Sequence, residues 1–350
     1  MPFLKNTWYV AAWANELVAG KMLRRQVLNE FYVLFRGTND IAKALVDRCP
    51  HRFAPLSMGK LVDDGAAIQC PYHGLRFNND GHCVHNPHGD NRIPKAAVVA
   101  APPVVEKYSA IWVWLGDANK ADAATIPEFD FLVPETHAVA CDMIKIASDY
   151  ELETDNILDL SHIEYMHPLF SSEAVSKGNY ECVQDGETIW SKRFMSEDDL
   201  PPFLHNAFGF APGQKADRWL NARWNAPATM ALWSGAVESG LAPEDGREVA
   251  GAHIFTPETD ETTHYFFAAS FPRSIGPQCE QMASASLSAA TGPDGVFTAE
   301  DKPMIEAQAE NMQGREFWAM KPVLLSIDAA AVRARRTLAR MIDEEQKSQP

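Results

Sequence analysis

The first hundred or so residues consist of short apolar runs separated by turn-forming residues. Gly, Pro and Asn-Asp interrupt the runs at short intervals, as expected of strands joined by turns. The runs lie at 26–35, 42–46, 66–69, 97–105 and 110–115. We therefore predict an all-β N-terminal domain.

The pattern changes near residue 118. The run at 110–115 ends in Gly116-Asp117, and the stretch that follows is Ala-rich and polar, which predicts a domain boundary. Residues 148–167 then combine closely spaced acids and apolar residues without Gly or Pro, which favours a helix with an irregular end. Further runs predict strands; they lie at 229–237, 252–256 and 263–270.

The C-terminal segment is typical of an amphipathic helix. Its apolar residues follow one another at steps of four and three, which places them on one stripe. They are Ile327, Ala331, Ala334, Leu338 and Met341. The expected fold class is α+β, with an all-β domain at 1–118 followed by an α+β domain at 119–350.

Composition and charge narrow the function. The 350 residues are enough for about two domains. Lys and Arg total 31 against 47 for Asp and Glu, which gives a net charge of −16. Nucleic acid and anionic membranes attract basic proteins, so neither is an expected partner. The N-terminus has no secretion signal and no apolar run is long enough to span a membrane, so we expect a cytoplasmic protein.

Two of the six cysteines lie beside histidines. Cys49 is followed by His51 with one residue between them, and Cys70 by His73 with two. Such a set suits tetrahedral zinc or a [2Fe–2S] cluster with one iron held by thiolates and the other by imidazoles. Each half contributes one Cys and one His, which favours the Rieske type of cluster, with zinc as the alternative. Prolines after both cysteines predict tight loops with N–H groups near the sulfurs.

The remaining cysteines and a histidine cluster are expected to play structural roles. The other four cysteines have no matching histidine partners, and buried cysteines usually act as small apolar residues. They are Cys83, Cys141, Cys182 and Cys279. The histidines at 82, 85 and 88 surround Asn86-Pro87 and precede Gly89, a sequence typical of a turn.

The segment 155–167 carries a second candidate metal site. Two imidazoles and one carboxylate on one face of an ion form the ligand set of non-haem iron centres that activate oxygen. His162 and His167 are the candidate imidazoles. Five residues of ideal α-helix rotate by about 140°, so a π-type turn or a helix end must lie between them. Asp159 is a candidate ligand or a partner that fixes the tautomer of His162, and the third ligand need not be local.

Taken together, the motifs resemble the Rieske non-haem iron oxygenases over essentially the whole chain. The segments that carry this resemblance are 49–57, 70–77 and 155–167. Within the family, further segments are similar to the vanillate O-demethylase and dicamba monooxygenase group of oxygenase components; they are 6–10, 86–89, 111–114, 256–259, 265–267 and the Arg-rich tail. The resemblance implies a Rieske domain, a catalytic domain whose large antiparallel sheet wraps a long helix, and a head-to-tail homotrimer.

The resemblance also implies residue roles. The cluster ligands would be Cys49, His51, Cys70 and His73, and the mononuclear iron ligands His162, His167 and a distant carboxylate. Asp301 best matches that carboxylate, and Glu300 is its rival. Asp159 matches an acid that bridges the cluster ligand His73 of one subunit and the iron ligand His162 of the next. Asn156 matches a polar residue near the iron.

The function implied is that of an oxygenase component. Electrons from NAD(P)H would reach the cluster through a separate flavin and iron–sulfur reductase, since the chain has no G-x-G-x-x-G motif. The expected reaction is oxidative O-demethylation of a methoxylated, vanillate-like aromatic acid. The alternatives are hydroxylation of a methyl or ring C–H bond, a non-catalytic Rieske electron carrier and a zinc-stabilised binding module.

The substrate pocket is expected on the sheet of the second domain. Leu232, His253 and Phe266 are the candidate substrate residues, and the segment 286–297 is expected to line part of the pocket.

Overall fold

A computed structural model describes residues 2–348 of the chain, which form two compact units. One unit contains Lys5–Ile126 together with Pro257–Asp260. The other contains the remaining described residues, mainly Pro127–Thr256 and the chain from Glu261 onward. The division therefore falls later than residue 118, and four residues from a distant part of the chain join the first unit.

The first unit is all-β, as predicted. Its ten strands form three antiparallel sheets with the orders β1-β10-β9, β2-β3-β4 and β5-β6-β7-β8. The strands are β1 Trp8–Trp13, β2 Met22–Val27, β3 Glu30–Arg36, β4 Ala42–Val46, β5 Lys60–Val62, β6 Ala67–Gln69, β7 Arg76–Asn78, β8 Cys83–His85, β9 Val104–Lys107 and β10 Ala110–Trp114. Cys49 and Cys70 belong to an apolar core that includes Leu45, Ile68 and Phe77.

The second unit contains one seven-stranded antiparallel sheet. Its order is β11-β17-β16-β15-β14-β13-β12, so that all but the first strand lie beside a sequence neighbour. The strands are β11 His137–Ile146, β12 Asn179–Asp185, β13 Thr188–Asp198, β14 Ala216–Asn225, β15 Thr229–Glu238, β16 Arg247–Pro257 and β17 Thr263–Pro272. Burial alternates along β13, where Ile189, Ser191, Arg193 and Met195 are buried, because successive side chains of a strand point to opposite faces.

Helices pack on this sheet. They are α1 Tyr150–Leu158, α2 Ile163–Met166, α3 Ala174–Lys177, α4 Pro202–Phe208, α5 Cys279–Thr291, α6 Lys302–Met312 and α7 Ala329–Lys347. The stripe predicted for the C-terminal helix is confirmed, since Ala331, Ala334 and Leu338 are buried in the main core. None of the helices in the described part of the chain is long and apolar enough to cross a membrane.

The helix predicted at 148–167 is interrupted. Asp149 caps α1 by accepting hydrogen bonds from the N–H groups of Glu151 and Leu152. Asp159, with φ −121° and ψ 92°, ends that helix, and a 3-10 turn at Leu160–His162 leads into the single turn of α2. The irregular end is thus confirmed.

A buried arginine joins the last helix to the first. Arg335 of α7 contacts Glu151 and Asp155 of α1, at 2.7 Å each, and its guanidinium lies 4.2 Å from the centre of the Phe317 ring. Burial raises the pKa of Glu151 to about 7 and that of Asp155 to about 6, although Arg335 acts against both shifts. Arg335 therefore favours the ionised form of both carboxyl groups, against the effect of burial.

We predict that Arg335→Met lowers the free energy of unfolding by about 3 kcal/mol, because it leaves two buried carboxylates without their cation. The loss should be larger at pH 8 than at pH 5.5, where both carboxyl groups take up protons and need no cation. Urea unfolding at the two pH values measures it. Arg336→Met is the control, since Arg336 is exposed. An equal, small effect of both substitutions would contradict the role given to Arg335.

Candidate metal centre and substrate cavity

The two Cys-His loops have the same backbone hydrogen bonds. In the loops 49–54 and 70–75, the cysteine N–H donates to the carbonyl five residues later, at 2.9 and 2.8 Å. The N–H four residues later donates back to the cysteine carbonyl, at 2.8 and 3.2 Å. That fourth position has positive φ in both loops and is occupied by Phe53 and Gly74. The two loops are therefore structurally equivalent despite their different Cys-His spacing.

The two loops bring their cysteines into contact with each other and their histidines close to each other. The Cys49 and Cys70 thiols are buried and contact each other, and the N–H groups of His51 and Arg52 point to the Cys49 sulfur, as the sequence predicted. Burial, together with Cys70, raises the pKa of Cys49 to about 11. The rings of His51 and His73 lie 4.5 Å apart between centroids. Paired thiols beside paired imidazoles fit a Rieske [2Fe–2S] cluster, in which each pair holds one iron.

One histidine of the neighbouring turn supports these loops. All three histidines at 82, 85 and 88 are exposed, and the Nε2 atom of His88 lies 2.8 Å from the main-chain oxygen of His73. His88 thus contacts the backbone of a candidate ligand, which the turn-like sequence around it did not indicate.

In the second unit, His162, His167 and Asp301 meet. One ligand atom from each residue lies within 4.8 Å of the other two. Nε2 of His162 is 3.5 Å from Oδ1 of Asp301, and Nε2 of His167 is 3.3 Å from Oδ2. Two imidazoles and one carboxylate converging from one side match the facial triad of non-haem iron centres, which leaves coordination positions open.

Irregular helical segments present all three residues. His162 ends the 3-10 turn, and His167 follows α2, where φ −115° and ψ 81° end the helix before Pro168. Asp301 is the last residue of a π-helix, Val296–Asp301, that leads into α6. The predicted distortion between the two histidines is therefore present, and the carboxylate is presented by a second distortion. Such segments are frequent at functional sites.

Both imidazoles are held through their other nitrogen. Nδ1 of His162 lies 2.7 Å from the main-chain oxygen of Asp159, and Nδ1 of His167 lies 2.6 Å from the Glu300 carboxylate. An acceptor at Nδ1 keeps the proton there and leaves the Nε2 lone pair for a metal. Glu300, the rival for the third ligand position, therefore orients His167, while Asp301 faces both Nε2 atoms.

Within its own chain, Asp159 contacts the His162 ring through its main chain and not through its side chain. Its carboxylate accepts hydrogen bonds from the N–H and hydroxyl of Ser161, at 3.0 Å each, and from Arg193 at 3.4 Å. It neither joins the ligand group nor contacts the His162 ring, because the main-chain oxygen of Asp159 takes that role. Asn156 does lie at the site, where its amide donates to Oδ1 of Asp301 at 3.1 Å.

A cavity of about 580 Å³ opens onto the triad. Its walls are mostly apolar, with Leu232, Phe267 and Phe297 among them. The expectation that 286–297 lines the pocket is confirmed, since Ser286, Ala289, Ala290, Val296 and Phe297 do so.

The expected role of Phe266 in the pocket is wrong. Phe266 is fully buried but does not line the cavity, whereas Phe267 does. Side chains alternate between the two faces of β17, so the two neighbours point in opposite directions.

His253 lies in the cavity wall among aromatic rings. It is 2% exposed, and its Nδ1 is 2.6 Å from the Tyr265 hydroxyl. Burial lowers the pKa of His253 to about 3, so the ring is neutral and carries one N–H. Tyr265, Phe267 and Phe297 surround it. A neutral imidazole of fixed orientation can recognise one oxygen atom of a bound molecule.

Comparison with known proteins agrees with both halves of the chain. Residues 7–108 match the Rieske [2Fe-2S] domain, and residues 146–344 match the vanillate O-demethylase oxygenase C-terminal domain. The oxygenase component of chloroacetanilide N-alkylformylase from Rhizorhabdus wittichii is 38% identical, with 98% of this chain and 97% of that protein aligned. The oxygenase component of dicamba O-demethylase from Stenotrophomonas maltophilia is 35% identical, with 97% and 98% aligned.

A solved structure supports the fold. Dicamba monooxygenase bound to 3,6-dichlorosalicylic acid superposes with a TM-score of 0.90 at 33% identity, over 99% of each chain. The chain therefore belongs to the Rieske oxygenase family, in the group with the vanillate O-demethylase type of catalytic domain. The chain is therefore an oxygenase component and an enzyme. The alternative of a non-catalytic Rieske electron carrier is set aside.

We predict that the two metal groups are lost separately. Cys70→Ala or His51→Ala should remove the visible absorption of the cluster, because a [2Fe–2S] centre without one ligand is usually lost. His162→Ala should keep that absorption and lose only the additional metal. Iron and sulfide analysis with a visible spectrum measures both. An intact cluster spectrum in Cys70→Ala would contradict the ligand assignment.

The two neighbouring acids should also differ. Asp301→Ala should remove the metal of the triad, whereas Glu300→Gln should weaken metal affinity by about 10- to 100-fold, as expected for loss of a partner that orients a ligand. Metal titration of the two variants measures this. Full activity of Asp301→Ala together with loss of activity in Glu300→Ala would show that Glu300, and not Asp301, is the ligand.

Proposed function

We propose that this protein catalyses the oxidative O-demethylation of a methoxylated, vanillate-like aromatic acid, with NAD(P)H-derived electrons and O₂. The observation that carries the proposal is the His162, His167 and Asp301 triad, which faces an apolar cavity large enough for a substituted aromatic ring. The names of two relatives, dicamba O-demethylase and vanillate O-demethylase oxygenase subunit, support this reaction class.

In this proposal, Cys49, His51, Cys70 and His73 hold the [2Fe–2S] cluster, and the triad holds mononuclear Fe(II). Iron in such a site supplies oxygen activation and the insertion of one oxygen atom into a C–H bond. The three side chains of the triad line the cavity, so a bound ion would be reached from it. Asn156 holds Oδ1 of Asp301, and Glu300 holds the ring of His167.

The cavity walls orient the substrate. Apolar side chains such as Leu232 and Phe267 exclude water and contact the ring, while His253 offers its single N–H or its lone pair to an oxygen of the substrate. Oxidation of an aryl methyl ether at its methyl carbon gives a hemiacetal that breaks down to a phenol and formaldehyde. Two electrons and two protons balance the reaction, and the second oxygen atom leaves as water.

The electrons come from a separate reductase with flavin and iron–sulfur groups. The description of relatives as oxygenase components supports a separate electron donor. Because NAD(P)H is a cytoplasmic electron source, we place the system in the cytoplasm. The net charge of −16 gives no support to nucleic acid as a partner.

We further propose that the cluster of one subunit serves the iron of the next in a head-to-tail homotrimer. His73 of one subunit and His162 of the next would each hold one metal group, and Asp159 would lie between these two imidazoles as their link. The Asp159 side chain is 21% exposed, so it can be reached from outside, and its main chain contacts the His162 ring.

The substrate class can be tested with purified oxygenase and a reductase. We predict that at least one compound from a panel of methoxylated benzoic acids gives formaldehyde and the matching phenol in a fixed ratio to NADH consumed. The matched methyl-substituted benzoic acids are the controls. Hydroxylated products from the methyl compounds, with no formaldehyde from any methoxy compound, would replace O-demethylation with C–H hydroxylation.

We predict that Asp159→Asn retains both metals and the fold but loses nearly all coupled turnover. Asn is almost isosteric with Asp, yet it lacks the charge that stabilises a neighbouring imidazole N–H. The loss of one charge-assisted hydrogen bond of about 1.5–3 kcal/mol explains one or two decades of rate, and a larger loss would mean that subunit alignment also depends on Asp159.

The measurement for this variant is single-turnover reoxidation of the reduced cluster with substrate and O₂ present. Reoxidation at the parent rate, with product formed in step, would show that Asp159 is not part of the electron path.

A further inference from the structure

Three hydrogen bonds from its own subunit fix the Asp159 carboxylate. Oδ1 accepts from the N–H of Ser161 and from Nη2 of Arg193, and Oδ2 accepts from the Ser161 hydroxyl. A carboxylate has about four acceptor positions, two on each oxygen. Within the described part of the chain, the recorded bonds therefore leave one position, on Oδ2, for a donor from outside.

Arg193 is itself held firmly. It is 3% exposed, and its Nη1 donates to the main-chain oxygen of Val175 at 3.0 Å. Its guanidinium lies 5.4 Å from the centre of the Tyr180 ring. Strand β13, which carries it, is paired on both sides, with β12 and β14. The cation therefore has a fixed position that does not depend on the metal site.

Of the neighbours of the Arg193 guanidinium described here, Asp159 is the one that carries a negative charge. Val175 contributes a neutral carbonyl, and Tyr180 a ring face, whereas Asp159 is the acid with which an ion pair is recorded. A buried charge costs free energy unless it is paired. The positive charge at Arg193 is thus matched to the carboxylate of Asp159.

We propose that Arg193 is a positioning residue for electron transfer. It holds the Asp159 carboxylate so that the remaining acceptor position on Oδ2 faces outward and takes one imidazole N–H from a second copy of this chain. Arg193 touches neither the metal ligands nor the cavity, and it acts through Asp159. This inference rests on the proposed function, in which Asp159 links the two metal groups.

The test compares Arg193→Met with the matched control Lys192→Met. Lys192 is the neighbouring residue on β13, has the same charge and points to the other face of the sheet. The measurement is single-turnover reoxidation of the reduced cluster with O₂ and vanillate, or with the panel compound that gives most product. We expect a slowing of about 10- to 100-fold for Arg193→Met with both metals retained. Arg193→Lys should restore much of the rate, and Lys192→Met should match the parent.

A double-mutant cycle separates positioning from structure. If Arg193 acts through Asp159, adding Arg193→Met to Asp159→Asn should slow reoxidation little beyond the single variant. Full additivity would overturn the inference. Loss of metal or of the oligomer in Arg193→Met, without rescue by Arg193→Lys, would also overturn it and leave a structural role.

The outcomes distinguish this inference from the proposed function. Slow reoxidation in Asp159→Asn together with a parent-like rate in Arg193→Met would reject the positioning role of Arg193 and keep the electron path through Asp159. A parent-like Asp159→Asn variant would reject the electron path through Asp159, and with it the basis of the role given to Arg193.

Discussion

The metal site depends on the interruption of one helix at Asp159. A continuous helix would place His162 and His167 on different sides and would use the Asp159 carbonyl in its own backbone ladder. Because α1 ends there, that carbonyl accepts from the His162 ring, and the 3-10 turn brings both imidazoles to one side. Strand β13 supports the break, since the Ser191 hydroxyl donates to the carbonyl of Leu158 at 2.6 Å and Arg193 holds the Asp159 carboxylate.

Each of the two histidines is held through its Nδ1 atom by a separate acceptor. Asp301 faces the Nε2 atoms of both histidines, and the adjacent Glu300 holds His167, so a single π-helix carries both the candidate ligand and the residue that orients His167. Asp159 also has two separate contacts: its main-chain oxygen accepts from the His162 ring, and its partly exposed carboxylate is held by Ser161 and Arg193. The apolar cavity adds a place for an aromatic ring next to the open side of the triad.

Local sequence patterns predicted the candidate metal ligands that lie close together in the chain, but not the distant residues that hold them in place. The Cys-His pairs and the spacing of His162 and His167 are visible in the sequence because their residues are close together. Asp301 came from the family resemblance, since nothing local separates it from Glu300. The prediction that Phe266 lines the pocket was wrong because β17 is buried on both faces. Such a strand shows no alternation of apolar and polar residues from which its orientation could be predicted. Arg193 was missed because its contact with Asp159 depends on how β13 lies against the end of α1.

In the proposed function, each cluster serves the iron of a neighbouring subunit. It is tested most directly by co-assembling Cys70→Ala chains, which lack the cluster, with His162→Ala chains, which lack the iron. Each variant alone should be inactive. In a randomly mixed ring made from equal amounts, about a quarter of the directed interfaces join an intact cluster to an intact iron site, so activity should return to that level. Mixed assemblies that form but stay inactive would contradict the account.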